Sequence, residues 1–227
     1  MPPTVEPPAR RSSALVLGDP VAPVLVGSAE HHLRRVLRLR DGAEVAVTDG
    51  AGRWRPCRLA GQLIEPDGDV VIEPRTDPPI TIAVAVPKGD RAEWMVQKCT
   101  EVGVDRIVLL SAARSVVRWD DERAARHLDR LRLVASEAAM QSRRVWLPEV
   151  VGPVAADSVL PSAVAAEPGA RPLVPADTTV AIGPEGGWSP EELSLAGDTV
   201  SLGPHVLRVE TAAVVATALL VAGRTVA

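Results

Sequence analysis

Ile182-Gly183-Pro184-Glu185-Gly186-Gly187-Trp188-Ser189-Pro190-Glu191-Glu192-Leu193, with Leu202-Gly203-Pro204-His205-Val206-Leu207-Arg208-Val209-Glu210-Thr211-Ala212 a short way on, decides the fold. Each stretch holds a glycine-proline loop after an apolar run that reads as a buried strand, Thr179 to Ile182 and Thr199 to Leu202. Each leads into a helix start. For the first, Ser189 supplies the N-cap, Pro190 sits in the opening turn and Glu192 takes the capping-box position. Two such loops expose backbone N–H and C=O groups at the carboxyl edge of a sheet, where open α/β proteins bind small ligands.

The same alternation of strand and helix extends upstream. Ile80 to Val86 is an apolar strand, Asp90 and Glu93 form a second capping-box pattern, and Ala92, Met95, Val96, Cys99 and Val102 line one helical face before Gly103 ends it. Ile107 to Leu110 is the next strand, and a long helix runs from about Asp121 to Gln141 with Leu128, Leu131, Ala135 and Ala138 inward. Pro148 to Pro175 is rich in Ala, Pro and Gly, with Ala163 to Ala166 as a candidate strand. A terminal helix reaches about Ala222. This order predicts a mainly parallel sheet flanked by helices.

Before Pro74 the pattern is different. Leu15 to Leu17, Val24 to Val26, Glu44 to Thr48, Arg53 to Leu63 and Val70 to Ile72 are short apolar or alternating runs punctuated by Asp-Gly and Gly pairs, which predicts a small β-barrel-like domain. One helix interrupts it, with Ser28 as N-cap and Leu33, Val36 and Leu37 as its apolar stripe. The three prolines between Pro74 and Pro79 mark a linker, and residues 1–13, with four prolines, read as a poorly ordered leader. The expected domains are therefore 14–75 and 79–227.

With 227 residues and 46% hydrophobic content the chain can fill one large or two modest cores. Its longest apolar stretch, Ala212 to Ala222, falls short of the roughly 20 residues that span a bilayer, and the N-terminus has no apolar signal core, so a cytoplasmic protein without a membrane partner is expected. Cys57 and Cys99 have neither CxxC spacing nor zinc-site companions, and no metal is implied. There is no Phe or Tyr, which argues against an aromatic base-stacking platform. Net charge is −4, unevenly spread: residues 151–227 carry 3 basic and 8 acidic side chains, whereas His31 to Arg40 holds four arginines and no acid.

Gly183 to Gly187 lacks the Lys-Ser/Thr that would hold a γ-phosphate and Mg²⁺, and it is not the GxGxxG of a first strand, so neither a kinase-like nor a dinucleotide site is expected. Taken alone it reads equally well as a tight strand-to-helix turn. Several further stretches join it: His31-His32-Leu33-Arg34-Arg35-Val36-Leu37-Arg38, Asp49-Gly50, Lys88-Gly89-Asp90 with Glu93, Gln97-Lys98 with Glu101-Val102-Gly103, Arg114-Ser115, and Glu137-Ala138-Ala139-Met140-Gln141-Ser142-Arg143-Arg144. In combination the sequence resembles the RsmE-type ribosomal RNA methyltransferases of the SPOUT superfamily, from about Glu30 onward.

The resemblance implies an α/β SPOUT methyltransferase domain with a C-terminal trefoil knot, preceded by a PUA-like β-barrel. It implies a homodimer that uses S-adenosyl-L-methionine, releases S-adenosyl-L-homocysteine, and methylates N3 of one uridine in 16S ribosomal RNA, on an assembled 30S subunit. The cofactor pocket would be lined by Ala166, Glu167, Gly183, Pro184, Glu185, Gly186, Gly187, Leu202, Gly203, Val206 and Leu207. The chemistry of the residues agrees: the glycines permit close backbone approach, and an acidic final third suits a cationic sulfonium.

N3 of uracil carries a proton, so a base is wanted to take it and a cation to meet the charge that spreads onto the flanking carbonyl oxygens. Arg208 is the candidate cation. Glu210 is the candidate base, with Glu185 second; equally, Glu210 reads as a first-turn carboxylate complementing the helix dipole and Glu185 as a brace within its loop. Arg34, Arg35 and Arg38, with Arg143 and Arg144 on the methyltransferase domain and Arg114 toward the substrate, are candidate RNA contacts; a solvated helix face is the other reading. Two rivals stand beside this function: a non-catalytic RNA-binding or ribosome-assembly factor on the same fold, and a SPOUT methyltransferase for another RNA base.

Overall fold

The computed structural model describes residues 12–25 and 27–224. The chain divides into two units: one runs to Thr76 and takes in Ala139–Leu147, and the other comprises Asp77–Ala138 and the chain from Pro148 onward. Most of the leader expected over 1–13 lies outside the described residues.

The first unit contains β1 (Ala14–Leu17), α1 (Gly27–His31), which runs into a π-turn over His32–Val36, then β2 (Glu44–Thr48), β3 (Arg53–Ala60), β4 (Leu63–Pro66) and β5 (Val71–Ile72). The strands form one sheet in the order β1-β2-β3-β4, with β5 also on β3; β1 is parallel to β2 and the other pairs are antiparallel. Both faces of β2 are covered. Val45 and Val47 pack with Val16, Leu33, Cys57, Leu59 and Ile64 on one side, and Ala46 packs with Leu15, Trp54 and Val145 on the other. The second face is why Ala139–Leu147 belongs here: Trp146 sits against Gly52, whose φ of +90° and missing Cβ leave room for the indole, and its N–H donates to the Glu73 carbonyl at 3.0 Å.

Three expectations for this unit are corrected. Val36 and Leu37 are 57% and 42% exposed, because the π-turn, closed by Leu37 N–H donating to the His32 carbonyl, takes them off the face that buries Leu33. The run from Arg53 to Leu63 is a hairpin that reverses at Gly61, where φ is +59°. No strand forms at Pro23–Leu25; Val26 and the Ser28 side chain lie outside the described residues.

The second unit contains β6 (Thr81–Ala85), α2 (Arg91–Val102), β7 (Arg106–Ser111), α3 (Asp121–Ser142), β8 (Glu149–Ala155), β9 (Val164–Pro172), β10 (Thr179–Ile182), α4 (Pro190–Leu195), β11 (Asp198–Ser201) and α5 (Val209–Arg224), with the last turn of α3 falling in the first unit. Its sheet, in the order β11-β9-β10-β6-β7-β8, is parallel throughout. Alternate side chains enter two cores, as expected of strands covered on both faces. Ile82, Val84, Ile107, Leu109, Val180 and Ile182 join Met95, Val96 and Cys99 of α2 and Ala213, Ala216 and Leu220 of α5, while Ala83, Val108, Leu110 and Ala181 meet Leu160 and Trp188.

The expected parallel α/β order is observed, with two differences. β8 is an edge strand that composition concealed, because Gly152 and Pro153 interrupt it: Gly152 has φ +105°, an added Cβ would lie 2.4 Å from the Leu109 carbonyl oxygen, and the ladder to β7 shifts register there. The capping box at Asp90 and Glu93 does not form; Asp90 makes no side-chain cap, and Glu93 accepts from Arg130 at 3.0 Å. Among the described residues no helix is long and apolar enough to cross a membrane.

Candidate active site

The carboxyl ends of the neighbouring strands β9, β10 and β11 carry three loops, and between them lies a cavity of about 520 Å³. Ala166, Glu167 and Pro168 line it from the first loop, Gly183, Pro184, Glu185, Gly187 and Trp188 from the second, and Ser201, Leu202, Gly203 and His205–Arg208 from the third, with Ile182, Val209 and Ala212 completing the wall. A volume in this range fits a nucleoside-sized ligand.

Local chemistry fixes the second loop. Trp188 is 4% exposed, and a Cβ on Gly183 would lie 3.0 Å from its ring, so the indole stacks on the glycine backbone. The Gly187 N–H closes the turn on the Pro184 carbonyl at 2.8 Å, with Gly187 at φ +70°. The expected box at the start of α4 forms: Glu192 N–H donates to Ser189 Oγ, and Ser189 N–H to the Glu192 carboxylate at 2.9 Å. Glu192 is buried and also accepts from the Ala113 N–H at 2.8 Å, tying this loop to the end of β7. Added Cβ atoms at Gly187 and Gly203 would meet no protein atom within 4 Å, so both glycine faces stay open.

Electrostatics gather at one side of the pocket. Arg208 is exposed and lines it. Glu210, in the first turn of α5, is 7% exposed; its Oε2 is buried without a hydrogen-bond partner, and its Oε1 lies 3.7 Å from Arg91 Nε. Arg91 Nη1 is 3.9 Å from Glu185 Oε1, so one guanidinium at the start of α2 serves both carboxylates. Glu210 does not itself line the cavity; it follows the lining residue Val209, and a buried, half-satisfied carboxylate is uncommon outside functional sites. Neither cysteine offers a nucleophile, since burial pushes the thiols of Cys57 and Cys99 up to about 11. Among the described residues no group of three or more His, Cys, Asp or Glu could hold a metal ion.

A model of the RNA methyltransferase domain matches residues 75–221, and one of the RNA methyltransferase PUA domain matches 29–62. Ribosomal RNA small subunit methyltransferase E of Mycobacterium bovis is 34% identical over 224 residues, covering 85% of this chain and 83% of its own; the Bacillus subtilis protein of the same name is 30% identical, covering 83% and 85%. The chain belongs to the ribosomal RNA small subunit methyltransferase E family. Two solved structures resemble it over nearly their whole length: a Legionella pneumophila methyltransferase with bound S-adenosylmethionine (TM-score 0.74, 27% identity, 92% of this chain and 96% of that one), and methyltransferase E of Neisseria gonorrhoeae bound to S-adenosylmethionine (0.69, 26%, 90% and 95%).

The structure places the residues singled out in the sequence as follows. Ala166, Glu167, Gly183, Pro184, Glu185, Gly187, Leu202, Gly203, Val206, Leu207 and Arg208 surround one cavity. Gly186 does not line it; its carbonyl accepts from Arg114 Nη1 at 3.2 Å, which commits that arginine to the loop. Arg34 is held within its own unit, donating to Asp41 at 2.5 Å, to the Leu39 carbonyl and to the Gly61 carbonyl, whereas Arg35 and Arg38 are exposed on and beside the π-turn. Arg143 and Arg144 are partly buried; they fall within residues 75–221 matched by the methyltransferase-domain model but group with the first unit, where Arg143 donates to the Ser13 carbonyl at 3.1 Å. Trp188, Ser201, Ala212 and Arg91 were not legible as site residues; only the aromatic beside the glycine turn carried a signal for Trp188.

Proposed function

We propose that this chain methylates N3 of a specific uridine in 16S ribosomal RNA, using S-adenosylmethionine, on the 30S subunit in the cytoplasm. The observation that carries the reading is the cavity at the ends of β9, β10 and β11, with Arg208 and Val209 on its wall and the buried Glu210 next in sequence, in a chain of the methyltransferase E family. The residues present fit the cofactor: the volume suits a nucleoside with an amino-acid tail, Gly187 and Gly203 leave backbone open, and Glu167 and Glu185 favour a cation.

When bound, S-adenosylmethionine supplies an electrophilic methyl and departs as S-adenosylhomocysteine. The three loops orient it and exclude water, so the protein's main contribution is to hold donor and uridine in near-attack geometry. In this reading the forked donors of Arg208, on the pocket wall, meet a uracil carbonyl oxygen as N3 loses its proton. Glu210 is the proton acceptor in this reading, with Arg91 Nε 3.7 Å from its Oε1; Glu185 shares that cation and braces the loop.

Arg35 and Arg38 serve as phosphate contacts, and Arg114 approaches the RNA from the loop it braces. The reading extends to a knotted C-terminal segment and to a homodimer, for which the exposed Trp94 and Leu219, 45% and 46% accessible, offer apolar surface. Mass mapping of nucleosides after incubating purified chain with labelled S-adenosylmethionine and unmodified 30S subunits tests the reading. Labelled 3-methyluridine is expected. A label on another nucleoside moves the chain to a different RNA base, and no label leaves an RNA-binding assembly factor.

A further inference from the structure

β9 makes an excursion that no neighbouring strand matches. It pairs with β11 through Val164 and Ala165, opposite Asp198 and Thr199, and the ladder resumes only at Arg171 and Pro172, opposite Val200 and Ser201. Ala166–Ala170 therefore leave the ladder while the facing strand advances by one residue, and Ala166, Glu167 and Pro168 of that excursion line the pocket. Gly169, at φ +80°, turns the chain back.

Arg171 is the first residue to re-enter the ladder, and its guanidinium is fully engaged. Nε donates to Asp198 Oδ2 at 2.6 Å on β11, while Nη1 and Nη2 donate to the two oxygens of Asp177 at 2.8 Å each. Asp177 in turn accepts from the Val174 N–H at 2.9 Å, closing the segment that leads into β10. The fork thus ties the return of the excursion to β11 on one side and to the approach of β10 on the other. A fork–fork pair fixes direction as well as distance, which a lysine cannot do.

We propose that Arg171 is a positioning residue that sets the wall of the cofactor pocket, a role that rests on the S-adenosylmethionine reading above. Asp177 and Asp198 are its partners in the clamp. The Arg171 and Asp198 side chains are 37% and 51% exposed, so that pair stabilises the fold only modestly, whereas Asp177 is 9% exposed and its two-oxygen fork fixes the geometry of the loop's return.

The test is calorimetric binding of S-adenosylmethionine, with steady-state kinetics and thermal melting, on the full chain and on Arg171→Ala, Arg171→Lys and Asp198→Asn. Arg171→Ala should raise Kd and KM for S-adenosylmethionine roughly tenfold and leave kcat near its starting value, because the wall is displaced while Arg208 and Glu210 are untouched. Arg171→Lys should recover the melting temperature but not the affinity. Should Arg171→Ala fail to fold, the other two variants decide the matter. Unchanged Kd and KM in folded variants, or a fall in kcat alone, would overturn the assignment. A wild-type chain that takes up no S-adenosylmethionine would instead refute the reading on which it rests.

Discussion

Arg208 and Gly183 carry the sharpest residue-scale consequences. Arg208→Ala should lower turnover about 10²–10³-fold, the usual cost of losing a donor to developing negative charge, while calorimetric affinity for S-adenosylmethionine stays within about twofold. A collapse of affinity instead would make Arg208 a binding residue. Gly183→Ala acts differently: its Cβ would arrive 3.0 Å from the buried Trp188 ring, so the indole or the loop gives by a few tenths of an ångström, and affinity should fall about tenfold with turnover at saturation largely kept. Glycine and proline chemistry made these loops readable in the sequence. Arg91 was not readable, because its partners lie far along the chain: the packing of α2 on α5 brings Glu210 to it, and the pairing of β10 with β6 brings the loop of Glu185.

Elements turn local chemistry into fixed loops. Glu192 is both the capping-box residue of α4 and the acceptor for Ala113, so Glu192→Ala should cost about 2 kcal/mol by leaving buried N–H groups unsatisfied, seen as a lower denaturation midpoint with unchanged m. On the π-turn, Arg35→Ala with Arg38→Ala should reduce the salt slope of RNA binding by about 1.5, whereas Arg34→Ala should act on folding through its lost carbonyl and Asp41 bonds. An unaltered slope would favour a solvated face for Arg35 and Arg38.

The clamp beside β9 makes a signed pH prediction. Arg171 holds the carboxyls of Asp177 and Asp198 below their ordinary value of 3.8, so their contribution to stability is complete above that value and is lost as pH falls through the lower folded values. The melting-temperature gap between wild type and Asp177→Asn should therefore shrink below about pH 3.8; a constant gap would contradict it. Strand and helix periodicity placed β2, β7, β10, α3 and α4 well. It failed for β8, where Gly152 and Pro153 break the apolar run, and at His32–Val36, where a π-turn cancels helical spacing.

At the scale of the molecule, the sequence pattern changes near Pro74–Pro79 from short alternating runs to strands alternating with helices, and the chain divides into two units whose first runs to Thr76. The change of pattern is legible without coordinates. The return of Ala139–Leu147 to the first unit is not, because a 22-residue helix with one apolar face gives no local sign that its last turn leaves the unit it began in. The parallel sheet and the convergence of three late loops on one cavity are whole-chain properties, and the proposed methyl transfer depends on that convergence. Calorimetric titration of the folded, purified chain with S-adenosylmethionine tests it most directly. Saturable binding that weakens in Gly183→Ala is the expected result; no measurable uptake, or uptake indifferent to Gly183→Ala, would contradict it.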